Sequence, residues 1–239
     1  MPLVLSFAKL VGITILFFIP FWGCIAIRDR WNLAYAHYPL GFAAYFLLCS
    51  LGGIWFFRAD FASVPINTNV ALPAIIFLGT LLLTLGIYAS AQQRLADIAS
   101  LLQQYGPTSN EFVRLDYRYL LVKLGNVLYQ QVALVLTVLL LHRLLPSVLV
   151  LALLFASLFG LLHLLIYAYR YQQKQVPRSS VVVFSVFSFL GGLVMPLLVL
   201  QVPFGFIYSF CIHALYYPVV GVGFRIYLEK RLGRVKINP

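Results

Sequence analysis

Inside stretches apolar enough to sit in hydrocarbon, a few residues could do chemistry: His163 and His213, the adjacent carboxamides Gln130 and Gln131, and Lys123. An imidazole moves protons near neutral pH, whereas a carboxamide donates and accepts hydrogen bonds but cannot take a proton from water. Lys123, Asn126, Gln130 and Thr137 recur at helical spacing on one face, with Gln131 beside them. Ala152, Ala156 and Gly160 form a small-residue ridge with His163 three positions beyond it, and Gly205, Ser209, His213, Tyr217 and Gly221 recur every fourth residue. An unpaired polar side chain in hydrocarbon costs several kcal/mol, so these stripes are expected to face protein and both histidines to point into a bundle. At 1.5 Å per residue, Gln130, His163 and His213 lie roughly 10–18 Å from the same end of their helices. They could share one cavity, or serve as interhelical hydrogen-bond glue worth about 1 kcal/mol each.

The elements that would position them are membrane spans. The chain has 239 residues, 62% of them hydrophobic and 10% charged, which does not describe a water-soluble domain. Apolar runs long enough to cross about 30 Å of hydrocarbon recur along it. The expected fold is all-α, a polytopic transmembrane helix bundle of about seven spans. The spans begin near Leu3 or Leu10, Pro39, Val70, Tyr119, Ser147, Ser180 and Phe204, with Pro146 and Pro203 separating the last four into two tight hairpins. Residues 1–90 read as three N-terminal spans, 91–118 as an amphipathic linker, 119–223 as a four-helix membrane core and 224–239 as a basic tail. Within the linker, Leu95, Ile98, Leu101 and Leu102 share an apolar face, and Thr108 with Glu111 reads as a capping box.

The net charge of +11 is topological. With seven spans and the tail inside, nearly all the basic residues of the short connections and tail fall on one side, while Arg58 and Arg143 fall on the other and Lys9 lies near that outer end. The tail is therefore expected in the cytoplasm, as in a bacterial inner-membrane protein. Basic residues there sit beside no interleaved aromatics, which argues against nucleic acid and for anionic lipid headgroups or a plain orientation signal. Cys24, Cys49 and Cys211 fall inside apolar runs and read as small hydrophobes. Without a metal-ligand spacing, neither a metal nor another cofactor is expected.

The order Gln130-Gln131-Val132-Ala133-Leu134-Val135, then Phe159-Gly160-Leu161-Leu162-His163, then His213-Ala214-Leu215-Tyr216-Tyr217 resembles the CAAX protease and bacteriocin-processing (CPBP/Abi) family of intramembrane proteases. Its pattern is Glu-Glu-x-x-x-Arg on one helix, Phe-x-x-x-His on the next and His-x-x-x-Asn on a later one. The basic pair His142-Arg143 before Pro146 is similar too, and the resemblance covers about residues 119–223, under half the chain. It implies a CPBP-like core in the last four spans, with a degenerate site at Gln130, Gln131, His163, His213 and Tyr217. In the family a glutamate activates the attacking water. Here amides stand in its place, Val135 stands for the arginine and Tyr217 for the asparagine. Loss at separate sites points to natural decay, though an engineered inactivation would also give paired glutamines. All six acidic residues, Asp29, Asp60, Asp97, Glu111, Asp116 and Glu229, fall in expected loops, the amphipathic stretch or the tail.

Three functional readings follow. The first is a catalytically inactive member of this fold that binds a membrane protein partner or transmembrane segment. The second is a working endopeptidase with an unidentified base, and the third a pigment- or small-molecule-binding subunit.

Overall fold

In lipid a backbone N–H or C=O has no water to bond, so each apolar run must close its hydrogen bonds internally as a helix. The structure, a computed structural model, describes residues 2–31, 38–95, 117–172 and 178–235. These form α1 (Pro2–Arg30), α2 (Pro39–Phe56), a short α3 (Arg58–Phe61), α4 (Ala71–Arg94), α5 (Tyr117–Leu144), α6 (Val148–Gln172), α7 (Arg178–Gln201) and α8 (Gly205–Val235). All but α3 are long and apolar enough to cross a membrane, which gives seven spans among the described residues and an integral, multi-spanning all-α protein. Gln92 and Arg94 extend α4, while the rest of the amphipathic stretch from Ala96 and the Thr108–Glu111 capping box lie outside the described residues.

α5 is the hub. Of its spanning stretch 61% is buried inside the protein, against 12–44% for the other spans. One side of α5 takes α1 and α2: Ile13 and Phe57 pack on Val132, Leu136 and Leu140, while Cys24, Phe42 and Phe46 pack on Val122 and Tyr129. Gly125 makes this approach possible, because a Cβ there would sit 3.1 Å from the Ala43 carbonyl oxygen. Two phenols then tie α1 down around its internal Pro20, with Tyr129 donating to the Phe17 carbonyl and Tyr45 to the Pro20 carbonyl, both at 2.8 Å. The outward faces, such as Leu158, Leu161 and Leu165 of α6, are apolar and exposed, as lipid contact requires.

The other side of α5 takes α7 and α8. The ridge of Ala152, Ala156 and Gly160 on α6 faces α7 so closely that a Cβ on Gly192 would come within 2.8 Å of the Ala156 Cα. α6 and α7 are thus the tight pair, docked on the bundle edge, whereas α5 and α6, expected to form a tight hairpin across Pro146, touch only slightly because the ridge on α6 is taken up by α7. Pro203 ends α7, and Phe204 turns the chain with φ of 57° before Gly205, where any Cβ would run into the Leu198 carbonyl. The third span stands apart from the first two, because α4 packs on α8: Phe77 meets Phe210, and Tyr88 and Ala91 meet Val222 of α8 along with Leu120 of α5. Thr80, Thr84 and Tyr88, spaced by four, are the buried edge of α4.

Two ends are thereby defined. The beginning of α1, α3, the end of α5 and the α7–α8 turn meet at one, where Phe204 N–H donates to the Pro65 carbonyl at 2.9 Å. The start of α5 and the late part of α8 meet at the other, the tail end.

Candidate functional site

The residues expected to form a site come from α5, α6 and α8. Gln131 is buried at the midpoint of α5 and its Nε2 donates to Ser209 Oγ on α8, while its Oε1 has no partner among the described residues. One turn beyond Ser209, His213 is buried, its ring stacked on that of Tyr217 with centroids 5.5 Å apart and its Nδ1 without a partner among the described residues. His163 on α6 and Lys123 on α5 both lie within Coulombic reach of His213. The Lys123 ammonium sits over the Tyr217 ring at 4.8 Å and the Tyr119 ring at 5.5 Å, a cation–π arrangement that keeps a positive charge beside the cluster.

Gln130 behaves differently. Its amide donates to Asn126 Oδ1 one turn earlier on α5, so it is satisfied by its own helix. Thr137 likewise donates back to the Ala133 carbonyl at 2.8 Å. His163 donates from Nδ1 to the Phe159 carbonyl at 2.8 Å, which leaves Nε2 as the lone-pair nitrogen of the neutral ring. The structure therefore gathers Gln131, His213, Tyr217, Lys123 and, at the edge, His163, while Gln130 is drawn along α5.

A ladder of rings that the sequence reading did not foresee runs around this cluster. Phe159 and His163 are 4.5 Å apart, His163 and Tyr167 6.3 Å, and Tyr167 stacks on Phe184 of α7 at 4.1 Å. Phe184 and Phe187 in turn flank Tyr216, 6.1 and 6.0 Å away, and Tyr216 abuts Tyr217. The Tyr216 hydroxyl is buried and has no partner among the described residues. Its signal was present in the spacing: Ser209, His213 and Tyr216 fall on one face of α8.

Chemically the cluster is made of hydrogen-bonding groups without an acid. Among the described residues, none of the acidic ones, Asp29, Asp60 and Glu229, lies within a spanning stretch, and no three His, Cys, Asp or Glu side chains converge as a metal site would need. The buried carboxylate among the described residues is that of Asp60, at the opposite end. It is 3% exposed, and its Oδ1 accepts from Arg143 Nη1 at 2.6 Å while its Oδ2 lies 3.3 Å from Lys9 Nζ. One carboxylate thus joins α1, α3 and α5. Around it Phe57, Phe61 and Val64 wedge into two apolar cores between the helices and close that end of the bundle.

Compared with protein-family models, with curated proteins and with solved structures, the chain matches none.

Proposed function

We propose that this chain is a non-catalytic membrane subunit that binds a transmembrane segment of another membrane protein through the cluster of Gln131, Ser209, His213, Tyr216 and Tyr217. The observation that carries this reading is the set of buried polar atoms left over there: Gln131 Oε1, His213 Nδ1 and the Tyr216 hydroxyl. Buried polar groups are nearly always bonded, and a buried one left over costs about 1–3 kcal/mol, which an incoming group can return. Hydrolysis is the poorer fit, because a carboxamide at 130 and 131 supplies no base and the buried carboxylate is bound up far away. Kinship with the CPBP/Abi proteases belongs to this proposal. It is supported by the order of the motifs and by the interface that joins Gln131 to the face of α8 carrying His213.

Photocrosslinking from position 215 on α8 tests the reading: a discrete membrane-protein adduct that disappears in His213→Ala supports it. A lone monomer with no adduct sinks it, as does cleavage of a membrane substrate that depends on His163.

The tail end is assigned to the cytoplasm. Of the described basic residues at the other end, Lys9 and Arg143 share the Asp60 carboxylate and only Arg58, over the Trp55 ring at 5.6 Å, stands clear of it. That leaves little positive charge to translocate, in keeping with the positive-inside bias. A reporter fused after Pro239 that is active only outside the cytoplasm should stay silent.

A further inference from the structure

The leftover atoms are specific about what they accept, and this inference rests on the binding reading above. Gln131 bonds Ser209 with one end of its amide; the other end, Oε1, is an acceptor and demands a donor. Along the same face of α8, His213 Nδ1 and the Tyr216 hydroxyl can each donate or accept. Lys123, held over the Tyr217 ring on which His213 stacks, sets a positive charge alongside and disfavours a cation. An ionised carboxylate would suit that charge but brings no donor to Gln131. The occupant must therefore be neutral and carry both a donor and an acceptor.

Depth narrows it further. Gln131 is at the midpoint of α5, about 20 Å from either end. At that level a transmembrane helix has spent its backbone N–H and C=O groups on itself. A helix reaching the cluster can offer only a side chain.

We propose that the cluster recognises a hydroxyl or carboxamide side chain, that is Ser, Thr, Asn or Gln, carried at mid-membrane depth by the partner's helix. Gln131 and Ser209 read its donor, and His213 and Tyr216 supply its acceptor's partners.

The test uses the full chain in phosphatidylcholine vesicles and a polyleucine transmembrane peptide with one central guest residue, their association followed by energy transfer. Asn and Ser guests should associate about 10-fold more tightly than Leu, with an Arg guest, which keeps its charge, no tighter than Leu. Gln131→Leu should abolish the preference and Gln130→Leu should keep it; Gln131→Met serves where the leucine variant fails to fold. Equal binding of all guests, tight binding of Arg, or a preference surviving both Gln131 variants overturns the inference. Saturable binding of diacylglycerol without any choice among peptides assigns the hydroxyl to a lipid and overturns the partner-helix assignment. A His213-dependent crosslinked partner in cells together with no guest choice here would overturn this inference alone; loss of both overturns the binding reading too.

Discussion

The two ends of the bundle bury polarity in opposite ways. At the Asp60 end one carboxylate bonds two cations from helices far apart in sequence, and His142 Nδ1 is the one buried polar atom there without a partner among the described residues. In the middle and tail half the groups facing one another on α5 and α8 are mostly neutral: Gln131 and Ser209 bond each other, while Gln131 Oε1, His213 Nδ1 and the Tyr216 hydroxyl have no partner among the described residues. Paired charge holds helices in register and has nothing left over for a ligand. Half-satisfied amides, imidazoles and phenols hold the fold weakly and keep bonding capacity in reserve. The comparison separates a clasp from a receptor within one chain.

The largest effect should come from breaking the clasp. Asp60→Ala leaves Lys9 and Arg143 without their shared anion and should cost ~2–3 kcal/mol, at the lower side for a buried pair because both cations are partly exposed. Thermal unfolding in detergent measures it, and an unchanged midpoint would mean the triad holds nothing. Replacing the whole triad, Lys9→Met with Asp60→Leu and Arg143→Met, should return stability to within about 1 kcal/mol of the wild type, since well-packed apolar groups often match a buried ion pair.

The receptor half should respond the other way round. His213→Phe removes an unbonded buried nitrogen and keeps a ring against Tyr217, so stability should hold within about 1 kcal/mol while the crosslinked adduct is lost. A large drop in melting temperature there would make the histidine structural and erase the contrast. The smallest effect belongs to Gln130→Leu, whose bond stays within α5: adduct yield should change by less than about 2-fold. If it falls as far as with His213→Phe, Gln130 turns toward the occupant when one is present.

Much of this was written locally in the chain. Spans follow from apolar runs, Pro146 and Pro203 fall between spans, and the four-residue ridge on α6 does seat a close neighbour, though that neighbour is α7 and not the expected partner α5. Asp60 was not legible, because a charge in a short connection reads as solvated, and its partners Lys9 and Arg143 lie 51 and 83 positions away. The flanking Phe57 and Phe61 were the available hint that this connection folds inward. Gln130 and Gln131 look alike in sequence. One helical step, about 100°, sends the first to Asn126 on its own helix and the second to Ser209 across the interface. The pairing of α4 with α8 was also hidden, although Thr80, Thr84 and Tyr88 mark a polar edge that needs a neighbour.

That pairing has a consequence for how the molecule is made. α4 ends at Arg94 and α8 begins at Gly205, so about 110 residues must be synthesised before the two can meet. At ~5–20 residues per second α4 waits some 6–22 s in the bilayer without the surface it is built to touch. Its threonines suit such a wait, since a Thr hydroxyl can bond the carbonyl one turn back on its own helix. The helix that receives the third span is thus made about 110 residues after it, and the tail half cannot assemble before α8 has followed α5, α6 and α7 into the bilayer.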